Sequence, residues 1–173
     1  MDLNNEARAN KKLYLIGGVM GIGKTATCRI LNKKLPNSVF LDGDWCWYSD
    51  PLIATTETKK IVIDNITHAL NNFINCSAYD NIIFCWILNK QGAIDAIKSR
   101  LNLENCQLCP ISLVCSPEAL KQRIAKDIKI GKRDADALAR SLALLPEYDE
   151  LDTIKIDTSN LDVNNVVDAI SRY

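Results

Sequence analysis

Between residues 18 and 25 the chain reads Gly18-Val19-Met20-Gly21-Ile22-Gly23-Lys24-Thr25, which satisfies G-x-x-x-x-G-K-[ST] at every fixed position. Each residue type has a chemical reason. Glycines at 18, 21 and 23 let the backbone turn tightly and aim its N–H groups at phosphate oxygens. A helix starting behind them adds partial positive charge at its N-terminus. Lys24 has the reach to meet β- and γ-phosphates, and the Thr25 hydroxyl suits Mg²⁺. Gly18, Gly21, Ile22, Gly23, Lys24, Thr25 and Ala26 are therefore the expected contacts of a nucleoside triphosphate, ATP above all, with Thr25 as the expected metal ligand. Two blander readings stand beside this one: a glycine turn with a chance lysine, and a nucleotide site that has lost its catalysis.

A second group of chemically capable residues is Asp42-Gly43-Asp44. A carboxylate at the end of a strand in an open α/β sheet faces the ligand crevice, where it accepts a proton from an attacking hydroxyl or holds Mg²⁺ through water. Either Asp42 or Asp44 fits the role of base; an Asp-Gly turn that merely ends a strand is the alternative. Trp45, Trp47 and Tyr48 follow, with no basic residue before Lys59. Bidentate arginine is the usual tool for gripping phosphate or sulfate, so its absence favours an uncharged or cationic acceptor. The aromatics form either a wall that stacks on such an acceptor or core packing under the next helix.

A third group is cationic: Arg123, Lys126, Lys129, Lys132, Arg133 and Arg140. On a continuous helix Lys126, Lys129 and Arg133 share one face, although Gly131 offers a hinge. Cations carried on a closing segment stabilise the charge of a phosphoryl group in flight, with Arg123 and Arg133 preferred and Arg140 third. A solvated face balanced by Asp127, Asp134 and Asp136 is the bland reading. His68, the single histidine, sits mid-helix and reads as structural. Seven cysteines, an odd number lying largely in apolar runs, read as free thiols in a reduced cytosol. Cys106-Gln107-Leu108-Cys109 has metal-like spacing but no second pair to complete a site.

These groups need a scaffold. Apolar runs at Leu13–Ile16, Ser38–Leu41, Asn81–Leu88, Leu108–Val114 and Thr153–Ile156 read as strands, the third unbroken from Ile82 and so covered on both faces. Helical spacing marks Lys24–Leu35, Thr55–Ile74 (with Ile61, Ile66, Leu70, Phe73 and Ile74 inward), about Gln91–Leu103, Ser116 to about Ile130, Ala135–Leu145 and Asn164–Ser171. Strands alternating with helices imply an α/β/α three-layer sandwich around a five-stranded parallel sheet. The expectation is one domain over residues 1–173, with a helical lid at about 124–146.

Composition narrows the partners. The 173 residues carry 21 basic and 21 acidic side chains, so no net charge draws the chain to nucleic acid or an anionic membrane. No stretch has the length of an apolar membrane span, and the apolar run after Lys11-Lys12 stops too soon, at Gly17-Gly18, for a signal peptide. A cytoplasmic protein is expected; oligomeric state is open. Asn89-Lys90-Gln91-Gly92 lacks the carboxylate with which GTP-binding switches read guanine, and no acid ends the Ile82–Leu88 run as motor ATPases require.

Taken together, the chain resembles the small P-loop kinases of the nucleotide, gluconate, shikimate, adenylylsulfate and chloramphenicol kinase type. The resemblance rests on Gly18–Thr25, on Asp42-Gly43-Asp44, on Cys115 to Arg123 after the fourth strand, and on Ile156-Asp157-Thr158-Ser159 at the end of the fifth. It implies strand order 2-3-1-4-5, a mobile lid, a base at the Asp-Gly-Asp position, and adenine near Asp157 and Thr158. The implied activity is transfer of the ATP γ-phosphoryl to a nucleotide, nucleoside or other small hydroxyl compound. An ATP-binding regulatory protein that hydrolyses slowly or not at all is the alternative.

Overall fold

Short, almost continuously buried apolar runs set the central strands of the computed structural model, which describes residues 11–173. The chain runs β1 (Lys11–Gly17), α1 (Lys24–Lys34), β2 (Ser38–Asp42), a 3₁₀ turn (Gly43–Cys46), α2 (Thr56–Asn75), β3 (Asn81–Cys85), α3 (Gln91–Lys98) and β4 (Cys106–Val114). It continues through α4 (Pro117–Lys129), α5 (Ala137–Leu144), a second 3₁₀ turn (Leu145–Tyr148), β5 (Ile154–Asp157) and α6 (Val163–Ile170). All strand pairs are parallel, in the order β2-β3-β1-β4-β5. Helices flank the sheet, α1 against α6, α2 against α3 and α4 against α5. The three-layer sandwich and its strand order thus agree with the sequence reading.

The core follows from the pattern of apolar residues. Leu13, Ile16, Ile82, Ile83, Phe84 and Cys85 are fully buried, as strands covered on both faces require. On α2 the buried stripe is Val62, Ile66, Leu70 and Ile74. This corrects the expectation for Ile61, which is half exposed: Val62, one position on, lies four residues before Ile66 and takes the inward place.

Helix starts obey local chemistry. Thr55 and Thr58 form a reciprocal capping box, Ser116 caps α4 ahead of Pro117, and Asp162 caps α6. The first helix differs. Its N-cap is Gly23 in the left-handed region with no side-chain cap, so its first N–H groups remain available to a ligand.

Two elements end earlier than the sequence suggests. The third strand stops at Cys85 instead of Leu88: the Trp86 N–H still bonds the Ile16 carbonyl, and the chain turns away by Leu88, whose φ is +40°. Helix α3 stops at Lys98 instead of Leu103, where Asn71 caps the departing chain by bonding the Arg100 carbonyl and the Asn102 N–H. The cations expected on a lid also divide. Helix α4 ends at Lys129 and Gly131 has a φ of +71°, so Arg133 does not continue the face carrying Lys126 and Lys129.

Candidate active site

Strand register brings the chemical groups to one edge. Asp42 pairs with Cys85, Cys85 with Ile16, and Val114 with Asp157, so Asp42, the Gly17-Gly18 exit and Asp157 all lie at the carboxyl ends of their strands. This is the edge where open α/β sheets bind ligands.

The phosphate loop forms here. Gly18, Gly21 and Gly23 have φ values of +154°, +85° and +105°, conformations that a side chain disfavours. Val19 and Ile22 anchor the loop from beneath, both buried. Lys24 folds back so that its Nζ donates to the Gly18 carbonyl over 2.7 Å and the Val19 carbonyl over 3.1 Å. Burial lowers the pKa of this ammonium; the Cys85 sulfur, Asp44 and Asp42 pull the other way. A partly buried ammonium whose hydrogen bonds go only to two carbonyls is poised for an anion. Ala26 is exposed on the first turn of α1.

Asp42 and Asp44 occupy different surroundings. Asp42 is buried; its Oδ2 accepts from Thr25 Oγ1 at 2.8 Å and its Oδ1 from the Asp44 N–H at 3.2 Å. The Asp-Gly-Asp segment therefore opens a 3₁₀ turn capped by the Asp42 side chain. Asp44 is exposed and its Oδ1 accepts from Trp86 Nε1 at 3.2 Å. Beyond it, Trp45 packs edge-on against Phe40 with centroids 5.3 Å apart, Trp47 leans half-buried on the core, and Tyr48 is 97% exposed. The expected aromatic wall therefore reduces to Trp45 and Tyr48.

Among the described residues no three His, Cys, Asp or Glu side chains gather as a metal cage. A hydroxyl beside one buried carboxylate nonetheless fits Mg²⁺, which takes one or two oxygen ligands from protein and the rest from water and phosphates. Cys106 and Cys109 are free thiols, and burial raises the pKa of Cys106 to about 11, as expected for inert core cysteines.

The other expected residues sit apart in two groups. Arg123 reaches across to the loop after β5: Nη1 donates to Thr158 Oγ1 at 2.9 Å and to the Ile22 carbonyl at 3.4 Å, and Nη2 donates to the Thr158 carbonyl. Thr158 is buried and its N–H donates to the Val114 carbonyl at 2.8 Å. Asp157 accepts from the Ser159 hydroxyl and N–H, which together lower its pKa. Arg123 therefore joins the phosphate loop to the Asp157–Thr158 segment. Arg133 is separate, its Nε 2.7 Å from Asp127 Oδ2, and Arg140 donates from Nη2 to both Asp134 oxygens, at 3.0 and 2.9 Å. Both arginines are thus engaged by carboxylates of their own segment.

Two residues belong to this site that the sequence did not single out. Trp86 lay inside an apolar run and read as strand. Tyr148 is fully buried, and its hydroxyl donates to the Ile87 carbonyl. The same carbonyl accepts from the Gly18 N–H at 3.3 Å. No local spacing marks either contact, because partner and donor are separated by tens of residues.

With this geometry in place, comparison with known proteins is informative. A family model described as "AAA domain" matches residues 15–142. No curated protein matches the sequence. The fold is similar to that of a gluconokinase from Sinorhizobium meliloti 1021, at 16% identity and a TM-score of 0.64 over 95% of this chain and 94% of that one. It is similar to shikimate kinase from Acinetobacter baumannii in complex with shikimate, at 21% identity and a TM-score of 0.61 over 95% and 93%. It is also similar to the Mycobacterium tuberculosis APS kinase in complex with AMPPNP and APS, at 11% identity and a TM-score of 0.69 over 94% and 96%. At these identities the likeness is one of fold. The chain belongs to the AAA domain family, and its architecture is that of the small P-loop kinases.

Proposed function

We propose that this protein is an ATP- and Mg²⁺-dependent kinase that transfers the γ-phosphoryl group to a hydroxyl of a small acceptor. The carrying observation is the bond between Thr25 and Asp42 with Asp44 beside it, which joins a phosphate loop to a carboxylate pair at one sheet edge. The AMPPNP recorded with the APS kinase supports a donor of the ATP kind.

The two carboxylates divide the work. Asp42, buried and bonded to Thr25, holds Mg²⁺ together with the Thr25 hydroxyl, the ion supplying neutralisation of phosphate charge. Asp44, exposed, accepts the proton of the acceptor hydroxyl as it attacks. Lys24 exchanges the Gly18 and Val19 carbonyls for phosphate oxygens. Loop N–H groups and the uncapped start of α1 cradle the phosphates, and Asp157 and Thr158 border the adenine side. Arg123 fastens that border to the phosphate loop, while residues 124–146 act as the lid and Arg133 leaves Asp127 to meet the phosphates on closure.

The acceptor is uncharged or cationic. From Asp42 to Thr58 the chain has four acids and no base, and Lys90, on the loop after β3, is neutralised by Glu147 at 2.7 Å. Exposed Trp45 and Tyr48 offer faces for an apolar or cationic body.

A second reading, an ATP-binding regulatory protein with little turnover, is favoured by one observation: Arg133 and Arg140 are already paired within the lid. Calorimetric titration with ATP·Mg²⁺ and GTP·Mg²⁺ separates binding from chemistry, and a screen for ADP release over nucleosides, their monophosphates, sugars and amino-sugar or phenicol antibiotics tests transfer. ATP binding with a neutral or amino acceptor phosphorylated supports the kinase. ATP binding with no acceptor used leaves the regulatory reading, preference for a monophosphate overturns the acceptor class, and failure to bind either nucleotide overturns both readings.

A further inference from the structure

Asp44 stands on an exposed 3₁₀ turn, where a carboxylate rotates freely unless something holds it. One oxygen is held: Trp86 Nε1 donates to Oδ1 at 3.2 Å, and among the described residues nothing donates to Oδ2. The indole is itself fixed by one contact on its ring and by the bonds of the peptide that carries it. The Trp86 N–H donates to the Ile16 carbonyl at 3.1 Å, extending the sheet one step beyond β3. The ring lies against the backbone of Gly43, where an added Cβ would come within 2.5 Å of Trp86 Cγ. The next carbonyl, Ile87 O, receives the Gly18 N–H and the Tyr148 hydroxyl. The peptide that carries the indole is therefore bolted to the first glycine of the phosphate loop and to the 3₁₀ turn after α5.

We propose that Trp86 is the positioning residue for Asp44: its indole N–H fixes the carboxylate relative to the phosphate loop and leaves Oδ2 facing the acceptor hydroxyl. The inference rests on Asp44 being the base. Its physical basis is that a hydrogen bond to a charged acceptor is directional and stronger than a neutral one. A base displaced by about 1 Å costs on the order of 100-fold in rate without altering substrate binding elsewhere. Gly43 is then glycine because the indole occupies the space a side chain would need.

Two measurements test the proposal. The chain has three tryptophans, so ¹⁵N–¹H spectra carry three indole N–H signals. Trp86→Phe identifies one of them by its loss, and Asp44→Asn is expected to shift that signal most. Gly43→Ala, which pushes the ring aside, is expected to shift it as well. An indole signal from Trp86 that ignores Asp44→Asn overturns the contact, with no acceptor needed. In the second measurement, ADP release from ATP·Mg²⁺ is followed with water or a found acceptor. Trp86→Phe is expected to lower kcat by about 10- to 100-fold with the calorimetric affinity for ATP·Mg²⁺ unchanged. Unchanged kcat, or parallel loss of ATP binding, overturns the positioning role. If Asp44→Asn itself retains full turnover, the base assignment falls instead, and the spectral result still reports whether Trp86 and Asp44 are bonded.

Discussion

The Thr25 hydroxyl donates to Asp42 Oδ2 over 2.8 Å, tying the first turn of α1 to the last residue of β2. If this pair receives Mg²⁺, its removal weakens the metal more than the nucleotide. Asp42→Asn and Thr25→Ala are expected to reduce the Mg²⁺-dependent part of ATP affinity by about 10- to 100-fold. Titrating ATP with and without Mg²⁺ checks this; equal losses in both conditions would mean that the pair only shapes the loop.

Lys24 gives a prediction in pH. Burial lowers its pKa from 10.5, so between the lowered value and 10.5 the unfolded chain binds more protons than the folded one. Stability contributed through Lys24 accordingly rises with pH across that window. Phosphate beside the amine favours its charged form, so ATP binding within that window takes up protons in the wild type and not in Lys24→Met. Binding heats measured in two buffers of different ionisation enthalpy report that uptake. The same substitution should weaken ATP by about 1.5–3 kcal/mol, roughly 10- to 150-fold.

Arg123 joins α4 to Ile22 and Thr158 through hydrogen bonds of one guanidinium. Arg123→Ala removes them and frees a buried threonine, with an expected loss of about 1.5–3 kcal/mol in urea unfolding. Arg123→Lys is expected to recover little, because an ammonium lacks the planar fork.

Gly21 combines a φ of +85° with a packed neighbour: an added Cβ would meet Ile124 Cγ1 at 2.6 Å. Gly21→Ala is expected to destabilise by about 1–3 kcal/mol and to weaken ATP binding in parallel. Pairing it with Ile124→Val removes only Cδ1, 3.0 Å away, and leaves both the Cγ1 contact and the backbone strain, so little recovery in thermal unfolding is expected.

The thiols should react in order of access. Cys76 and Cys46 are partly exposed and the other five buried. Burial, assisted by Asp42, also raises the Cys46 pKa. Mass spectrometry after brief alkylation at neutral pH should find Cys76 labelled first, Cys46 more slowly, and the remainder only after denaturation.

Sequence alone carried the phosphate loop because its chemistry is local: eight successive residues build the cradle. The parallel strands and the Asp42 position were also legible, since a buried strand and its carboxyl end follow from hydrophobic runs; the strand order came from the resemblance to small P-loop kinases. What escaped was set by distant contacts. Trp86 looked like a strand residue until the Asp44 bond and the Gly43 surface gave its indole a place in the site. For Arg133 the sequence left two readings open, a lid cation or a charge balanced by nearby carboxylates, and the turn at Gly131, in the left-handed region, brings it to Asp127, six residues back. Composition cannot distinguish a cation awaiting phosphate from one already neutralised.

Strand order has a consequence for biosynthesis. The strand that leads into the phosphate loop is made first, yet its partners in the sheet begin only at Asn81 and Cys106. A nascent chain therefore carries a complete nucleotide motif long before it has a site. Long-range pairing of this kind slows folding, since loop closure precedes the contacts that reward it. ATP capture by ribosome-bound chains of increasing length should thus switch on late, once the segment through Thr158 has emerged, so that capture reports assembly.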